Sequence, residues 1–110
     1  MGNLALTANT STDGDYLRLF QGAGDVAAKI IVRIKHDDPE VKTLTIKGAH
    51  LGGEAWNHLG HILAQSTHVK ELNIGYCHVN LAELCRGLFF NQSIQQLYFM
   101  RATLQGVIHF

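Results

Sequence analysis

The stretch VKTLTIKGAHL at residues 41–51 decides the fold, because its apolar pattern occurs twice more along the chain. VKELNIGYCHV follows at residues 69–79 and IQQLYFMRATL at residues 94–104, so the copies begin 28 and then 25 residues apart. A period of this size indicates a solenoid, in which each structural repeat packs only against its neighbours. We therefore predict three parallel strands that lie side by side, each leading through a turn into a helix.

Apolar and polar residues alternate within each copy, which is the pattern of a strand with one dry face and one wet face. The inward positions are Leu44 and Ile46, then Leu72 and Ile74, then Leu97 and Phe99. A sheet of this kind needs a layer of helices behind its dry face. The polar positions that alternate with the inward ones form the other face, which is open to solvent.

A helix with one apolar stripe is predicted after each of the first two strands. The stripe of the first helix, residues 54 to about 65, comprises Trp56, Leu59, Ile62 and Leu63. The stripe of the second comprises Leu81, Leu84, Cys85, Leu88 and Phe89. Asn80 and Glu83 have the spacing of a capping box, which places the start of the second helix at residue 81.

The segment LNIGYCHV at residues 72–79 resembles the strand-and-turn signature of leucine-rich repeat proteins of the ribonuclease-inhibitor type. The resemblance covers residues 41–110 and, more loosely, residues 22–40. It implies an α/β leucine-rich-repeat solenoid, a right-handed β/α superhelix of about two and a half repeats with an amino-terminal capping helix. The repeats are residues 41–68, 69–93 and 94–110, the last incomplete. Ala49 and Ala102 depart from the family, which usually has Asn or Cys there.

The resemblance also implies a non-catalytic scaffold that binds a protein partner on the concave strand face. The outward strand positions are Thr43, Thr45 and Lys47, then Glu71, Asn73 and Gly75, then Gln96, Tyr98 and Met100. We expect Tyr98 and Met100 to anchor the partner, since tyrosine offers a large contact area and methionine adapts its shape. An alternative setting for such repeats is a regulatory segment of an immune-type sensor or a GTPase-activating protein.

The first 40 residues are predicted to precede the repeats as a cap. We expect residues 1–21 to be partly disordered or to form a short helix that starts at a capping box of Thr12 and Asp15. Residues 22–40 are expected to form a capping helix and a turn. For residues 25–35 a helix is favoured by the N-cap Asp25 and the apolar spacing, whereas the β-branched run IIV at 30–32 favours a strand. Pro39 ends either element.

A second functional hypothesis comes from the sequence GAGDVA, which runs from Gly22 to Ala27. It matches the glycine fingerprint of dinucleotide-binding folds, with residues 16–20 as a strand before it, so a Rossmann-like nucleotide-binding fragment is an alternative. Two observations oppose it. Lys47 stands where a ribose-binding carboxylate is expected, and strands of a doubly wound sheet are apolar on both faces, whereas these alternate. The main hypothesis therefore involves no cofactor.

Composition excludes several classes of partner. The chain has 9 Lys plus Arg and 9 Asp plus Glu, so we expect it to bind neither nucleic acid nor an anionic membrane. No apolar run approaches the roughly 20 residues of a membrane span, and the amino terminus lacks the positive region of a secretory signal. Cys77 and Cys85 are predicted to be buried free thiols. We therefore expect a cytoplasmic location.

Histidine and nucleophile patterns do not support a metal site or catalysis. His50 and His78 occupy the same phase of adjacent repeats, and His58 and His61 lie on one predicted helix. A metal site needs three or four converging ligands, and these two pairs belong to different layers, so we predict no metal. No nucleophile elbow, phosphate loop or pair of carboxylates suited to catalysis is present, and we predict that the protein is not an enzyme.

The third copy is expected to leave one end of the stack uncovered. Only Val107, Ile108 and Phe110 remain where its helix should be, and its own apolar residues have no following repeat to cover them. These residues are Ile94, Leu97, Phe99 and Leu104. Terminal repeats of a solenoid need a polar cap. We therefore expect either a piece of a longer solenoid or end-to-end self-association through the uncapped repeat.

Overall fold

A computed structural model of the chain describes residues 13–105. The helices are α1 at 13–19, α2 at Asp25–Lys35, α3 at Gly53–Gln65 and α4 at Leu81–Leu88, with a short 3-10 helix at Gln21–Ala23. The strands are β1 at Thr43–Lys47, β2 at Glu71–Gly75, β3 at His78–Asn80, β4 at Gln96–Met100 and β5 at Thr103–Gln105. The predicted capping residue Thr12 and the predicted helix remnant Val107, Ile108 and Phe110 lie outside the described residues. None of the helices between residues 13 and 105 is long and apolar enough to cross a bilayer.

Strands β1, β2 and β4 form one parallel sheet in that order. Leu44 lies beside Leu72, and Leu72 beside Leu97, so the three copies of the sequence pattern stand in register in a single ladder. The predicted adjacency of the three strands is confirmed. A second parallel ladder joins β3 to β5 and sets Val79 beside Leu104. This ladder adds two short strands to regions that the sequence analysis treated as turns.

The chain makes the same turn at the end of each of the three long strands. Gly48, Tyr76 and Arg101 directly follow β1, β2 and β4, and their φ angles are 64°, 53° and 51°. This left-handed conformation is easy for glycine and strained for tyrosine and arginine. The amide of Gly48 donates to the carbonyl of Gly75, and the amide of Tyr76 to the carbonyl of Met100, each at 3.0 Å. The repeat is therefore present in backbone geometry as well as in composition.

Helices α3 and α4 lie against each other through two glycines. A Cβ atom built on Gly60 would be 2.3 Å from the carbonyl oxygen of Leu84, and one built on Gly87 would be 2.3 Å from the backbone of Gly60. Both distances are far inside van der Waals contact, so a larger residue at either position would push the helices apart. The close approach of the two helices thus depends on the absence of side chains at residues 60 and 87.

The core lies between the sheet and the helices, and Trp56 is its largest fully buried side chain. Trp56 is also the only tryptophan of the chain. It packs in the same cluster as Leu59 and Leu63 of α3 and as Leu44 and Leu72 of the strands, which confirms the stripe predicted for α3. Burying one such aliphatic side chain contributes about 1.5–3 kcal/mol, so this cluster is a main source of stability.

The stripe predicted for α4 is correct in its middle and wrong at its end. Leu84 and Cys85 are buried, but Phe89 is exposed. Phe89 is the C-cap of α4 and still has helical backbone angles, so its side chain is exposed because the core does not extend to this end of the helix. The predicted cap at the other end is present, because the side chain of Asn80 accepts a hydrogen bond from the amide of Glu83 at 3.2 Å.

Residues 13–35 close the amino-terminal end of the core. Of the two alternatives for residues 25–35 the structure has the helix, α2, which buries Ala28, Ile31 and Ile34. Phe20 follows α1 directly and is fully buried in the same cluster. Residues 16–20 are therefore helical or at a helix end, and the strand that the nucleotide-binding alternative requires is absent from this region.

The carboxyl-terminal end of the described chain is more open. Leu97 is 44% exposed, whereas its ladder neighbour Leu72 is 0% exposed, and Leu104 is 45% exposed. Ile94 and Phe99 are half-buried, so the predicted uncovered surface is concentrated at Leu97 and Leu104. The same inward position is thus dry in the middle of the sheet and wet at this edge.

Candidate functional site

The outward positions of the sheet lie in three rows that run across β1, β2 and β4. From the amino to the carboxyl ends of the strands the rows are Thr43, Glu71 and Gln96, then Thr45, Asn73 and Tyr98, then Lys47, Gly75 and Met100. Exposed and buried residues alternate along β1, so its outward side chains face away from the core. The structure therefore brings together all of the residues predicted to bind a partner. We call this surface the open face.

Hydrogen bonds tie together the polar part of the open face. The side-chain amide of Asn73 donates to a carboxylate oxygen of Glu71 at 2.8 Å, and its nitrogen lies 3.5 Å from the hydroxyl of Thr45. These contacts join side chains of two neighbouring strands and of two successive rows. Side chains held in this way lose less conformational freedom when a partner binds.

A pocket of about 260 Å³ opens at the carboxyl end of the open face. Its lining residues are Thr45, Lys47, Asn73, Ile74, Gly75, Tyr76, Tyr98 and Met100. Tyr76, Tyr98 and Met100 are each about half exposed, and the hydroxyl of Tyr76 lies 3.9 Å from the sulfur of Met100. Pockets for drug-sized ligands usually measure about 300–1,000 Å³, so this one is better suited to a single side chain.

Tyr76 is the site residue that the sequence analysis missed. It was treated as a turn residue, whereas the left-handed turn after β2 places its ring beside Met100 and in the wall of the pocket. Gly75 contributes no side chain, and a Cβ atom there would be 3.1 Å from the carbonyl oxygen of Met100. The available signal was that Tyr76 is the aromatic member of the three equivalent turn residues, the others being Gly48 and Arg101.

The carboxyl edge of the sheet is basic. His50, His78 and Arg101 line a depression of about 420 Å³, together with Gly48, Ala49, Tyr76, Cys77 and Thr103. The predicted neighbours His50 and His78 therefore do line one surface, and none of the lining residues is acidic. Tyr76 belongs to both depressions, so the basic edge is continuous with the apolar pocket. Within residues 13–105 no group of three or more His, Cys, Asp or Glu is placed to hold a metal ion.

The other histidine pair lies in the helix layer, away from the open face. His58 meets the ring of Tyr16 edge-on, with the ring centres 5.7 Å apart, and its Nε2 is 3.9 Å from the carboxylate of Glu54. His61 lines a separate depression beside Tyr16 and Lys35. These contacts pack α1 and α2 against α3, which is a structural role.

Both cysteines are free and buried, as predicted. Burial raises the pKa of the Cys77 and Cys85 thiols, and at Cys77 a hydrogen bond with the backbone of Ala49 opposes this effect only in part. A raised pKa lowers the thiolate fraction, and the thiolate is the reactive form. Neither side chain therefore has the exposure or the charge state of a reactive cysteine.

The glycines of the loop at residues 22–27 have packing roles. A Cβ atom on Gly22 would be 2.1 Å from the carbonyl oxygen of His50, and the Gly22 carbonyl accepts a hydrogen bond from the His50 amide at 3.0 Å. Gly24 has φ 93° and is the N-cap of α2. The loop thus joins two helical segments to the turn after β1, which accounts for both glycines without a nucleotide.

Comparison with known proteins adds no relative to this description. No family model, no curated protein and no solved structure matches the chain. The assignment of a function therefore rests on the geometry and chemistry of the chain itself.

Proposed function

We propose that the chain is a leucine-rich-repeat segment of the ribonuclease-inhibitor type that acts as a non-catalytic scaffold and binds a protein partner on its open face. The observation that carries the proposal is the alignment of the outward positions in rows that end in the pocket of Tyr76, Tyr98 and Met100. Large side chains that are exposed together at one place on a surface are typical of interaction sites. The repeated turns at residues 48, 76 and 101 support the assignment to a repeat class.

The open face suits a protein partner because its side chains are already held in place and because it exposes large apolar side chains. The strands fix the backbone, and the hydrogen bonds of Asn73 fix the polar side chains, so few groups need to be ordered on binding. Tyr98 and Met100 supply the apolar contact. Complete burial of a side chain of this size contributes about 1.5–3 kcal/mol, so the pair can serve as the centre of an interface.

Charge on the open face suggests the chemistry of the partner. The cations Lys47 and Arg101 lie at the carboxyl edge, whereas Glu71 lies in the first row at the amino end of the strands. Opposite charges across an interface fix its orientation. We expect the partner to place an apolar side chain in the pocket and acidic groups beside it, over the carboxyl edge.

The alternatives differ in how they relate to this face. A regulatory segment of an immune-type sensor or a GTPase-activating protein would bind its partner through the same surface. This alternative therefore concerns the biological context of the open face and does not require a separate site. Nucleotide binding at Gly22 is disfavoured, because the loop follows a helical segment in place of a strand and because the Gly22 carbonyl already accepts a hydrogen bond from His50. The structure gives that hypothesis no specific support.

Site-specific photocrosslinking tests the proposal. A photoreactive phenylalanine at position 98 should give one discrete adduct with a partner protein, distinct in mass from a covalent dimer of the 12.2 kDa chain, and the same group at position 26 should give no partner adduct. Val26 is the matched control, since it is exposed on α2 and lies away from the open face. The captured protein is then expressed, and Tyr98→Ala should weaken its affinity by about 30-fold, which corresponds to a hot-spot loss of about 2 kcal/mol. Equal crosslinking from both positions, or unchanged affinity of a folded Tyr98→Ala variant, would contradict the proposal.

A further inference from the structure

The exposed apolar side chains at the end of the sheet continue two buried ladders. In the first ladder Leu72 is fully buried and its neighbour Leu97 is not, and in the second ladder Val79 is fully buried and its neighbour Leu104 is not. Phe90, which follows the last helix α4, is 73% exposed. Leu97 and Leu104 are therefore uncovered where their ladder neighbours in the preceding repeat are dry, and Phe90 adds a third exposed apolar side chain at the same end.

The strands at this end also have free edges. Within residues 13–105, β4 pairs only with β2 and β5 pairs only with β3. Proteins commonly protect such edges with lysine, proline or a covering element, because unpaired backbone groups attract other strands. The sequences of β4, QLYFM, and β5, TLQ, contain no charged residue and no proline. The edge is therefore well suited to pairing with another strand.

The opposite end of the molecule does not offer a matching surface. Phe20, Ile31 and Ile34 seal the core there and are buried themselves. Among the described residues the exposed large hydrophobics of this end are Leu17 and Val26, which belong to different helices. Head-to-tail stacking needs two complementary ends, whereas twofold pairing needs only one self-complementary surface. The open end can thus be covered by another open end and not by the sealed one.

We propose that two copies of this chain form a twofold-symmetric dimer through this end. A twofold axis beside β4 sets the two β4 strands antiparallel to each other and joins the two three-stranded sheets into one of six strands. Leu97 of each copy then lies next to the axis and faces its own counterpart, whereas Leu104, beyond the carboxyl end of β4, faces the amino end of the other β4, which Phe90 precedes in the chain. The open faces of the two copies become one continuous surface, but the dimer itself does not depend on the proposed function.

Sedimentation equilibrium on the full chain tests the stoichiometry. The expected mass at high protein concentration is twice the 12.2 kDa of one chain. The double variant Leu104→Glu with Phe90→Glu should weaken association at least tenfold while its circular dichroism stays unchanged, because both side chains are exposed in one copy. Val26→Glu, which places the same charge on the sealed end, should leave association unchanged. A monomer at all concentrations, or assemblies that grow beyond two copies, overturns the proposal.

Crosslinking through introduced cysteines tests the geometry, even where a variant alters affinity. The copies of Tyr98→Cys face each other across the axis and should be joined by a short bismaleimide reagent. Copies of Thr43→Cys should not be joined, because their strands are five spacings, or about 24 Å, apart and the residues are separated by at least that distance. Cys77 and Cys85 are buried and give little background. A mixture of the two variants that crosslinks mainly between positions 98 and 43 would show head-to-tail contact and would rule out the twofold dimer.

Discussion

The two ends of the sheet carry the same sequence pattern and differ in what covers it. At the amino-terminal end Leu44 of β1 is fully buried, because α2 and the segment around Phe20 complete the core beside it. At the other end Leu97 of β4, in the same ladder, is almost half exposed. The burial of a leucine in this sheet thus depends on the elements that cover its strand and not on its place in the sequence pattern. Three pairs of variants test how far the contacts of this fold are local to one part of it, the largest expected effect first.

The most direct test is the matched pair Leu44→Ala and Leu97→Ala. Leu44→Ala removes a fully buried side chain and leaves a cavity, so we expect a loss of about 3 kcal/mol in the free energy of unfolding. Leu97→Ala removes a half-exposed side chain and should cost about 1 kcal/mol or less. Urea denaturation at low protein concentration, where association is weak, measures both values. Equal losses would mean that the two ends are covered equally well in solution.

The helix contact between the two ends is tested by Gly87→Ala. The added Cβ would lie 2.3 Å from the backbone of Gly60, so the helices must separate, with an expected loss of about 1–3 kcal/mol. Gly14→Ala is the control. It is also helical, and its Cβ would meet only the guanidinium of Arg18 at 3.9 Å, so it should be neutral or slightly stabilising through helix propensity. Similar melting temperatures for the two variants would contradict the close contact.

The smallest expected effect is the acid sensitivity of the contact between Asp37, which follows α2, and Thr67 and His68, which precede β2. The carboxylate of Asp37 accepts hydrogen bonds from the hydroxyl and the amide of Thr67 and lies 3.1 Å from Nδ1 of His68. These contacts lower the pKa of Asp37 from 3.8 to about 2, and the hydrogen bond from the Thr67 hydroxyl has the largest effect. Because the pKa is lower in the folded state, the stabilisation is present above pH 4 and is lost as the pH falls from about 4 towards 2.

Asp37→Asn should therefore flatten the dependence of stability on pH between about 4 and 2. Asn tolerates the φ of 52° at this position, so the backbone need not change. Asn91 is the uncharged control. Its side-chain amide donates to the carbonyl of Leu63 at 2.6 Å and so links the segment after α4 to α3. Asn91→Ala should lower the urea midpoint by the same amount at pH 3 and pH 7. A slope unchanged by Asp37→Asn would assign the acid sensitivity to other carboxylates.

Much of the fold was predictable because its signals are local. The spacing of Leu44, Leu72 and Leu97 predicted the parallel ladder, and the stripe through Trp56 predicted α3. For residues 25–35 the sequence favoured a helix without excluding a strand, because the β-branched run and the helical spacing compete there. The burial of Ile31 and Ile34 against the rest of the core decides for the helix, and that contact is tertiary.

What escaped prediction depends on contacts between distant residues. Nothing in the sequence near Gly60 or Gly87 indicates that the two backbones touch, since each is an ordinary glycine in a helix. Phe89 continues the apolar spacing of α4 and keeps a helical backbone, but the core does not reach it, and the extent of the core is a tertiary property. For the open face, alternation predicted which side chains point outward, whereas the position of Tyr76 followed from a turn whose handedness the sequence did not indicate.

The burial of Trp56 has a practical consequence. An indole shielded from water emits at shorter wavelength than one in contact with it, and this chain has no other tryptophan to blur the signal. Its fluorescence therefore reports directly on whether the space between helix and sheet is still dry. Intrinsic tryptophan fluorescence can therefore follow the unfolding of this protein without a label.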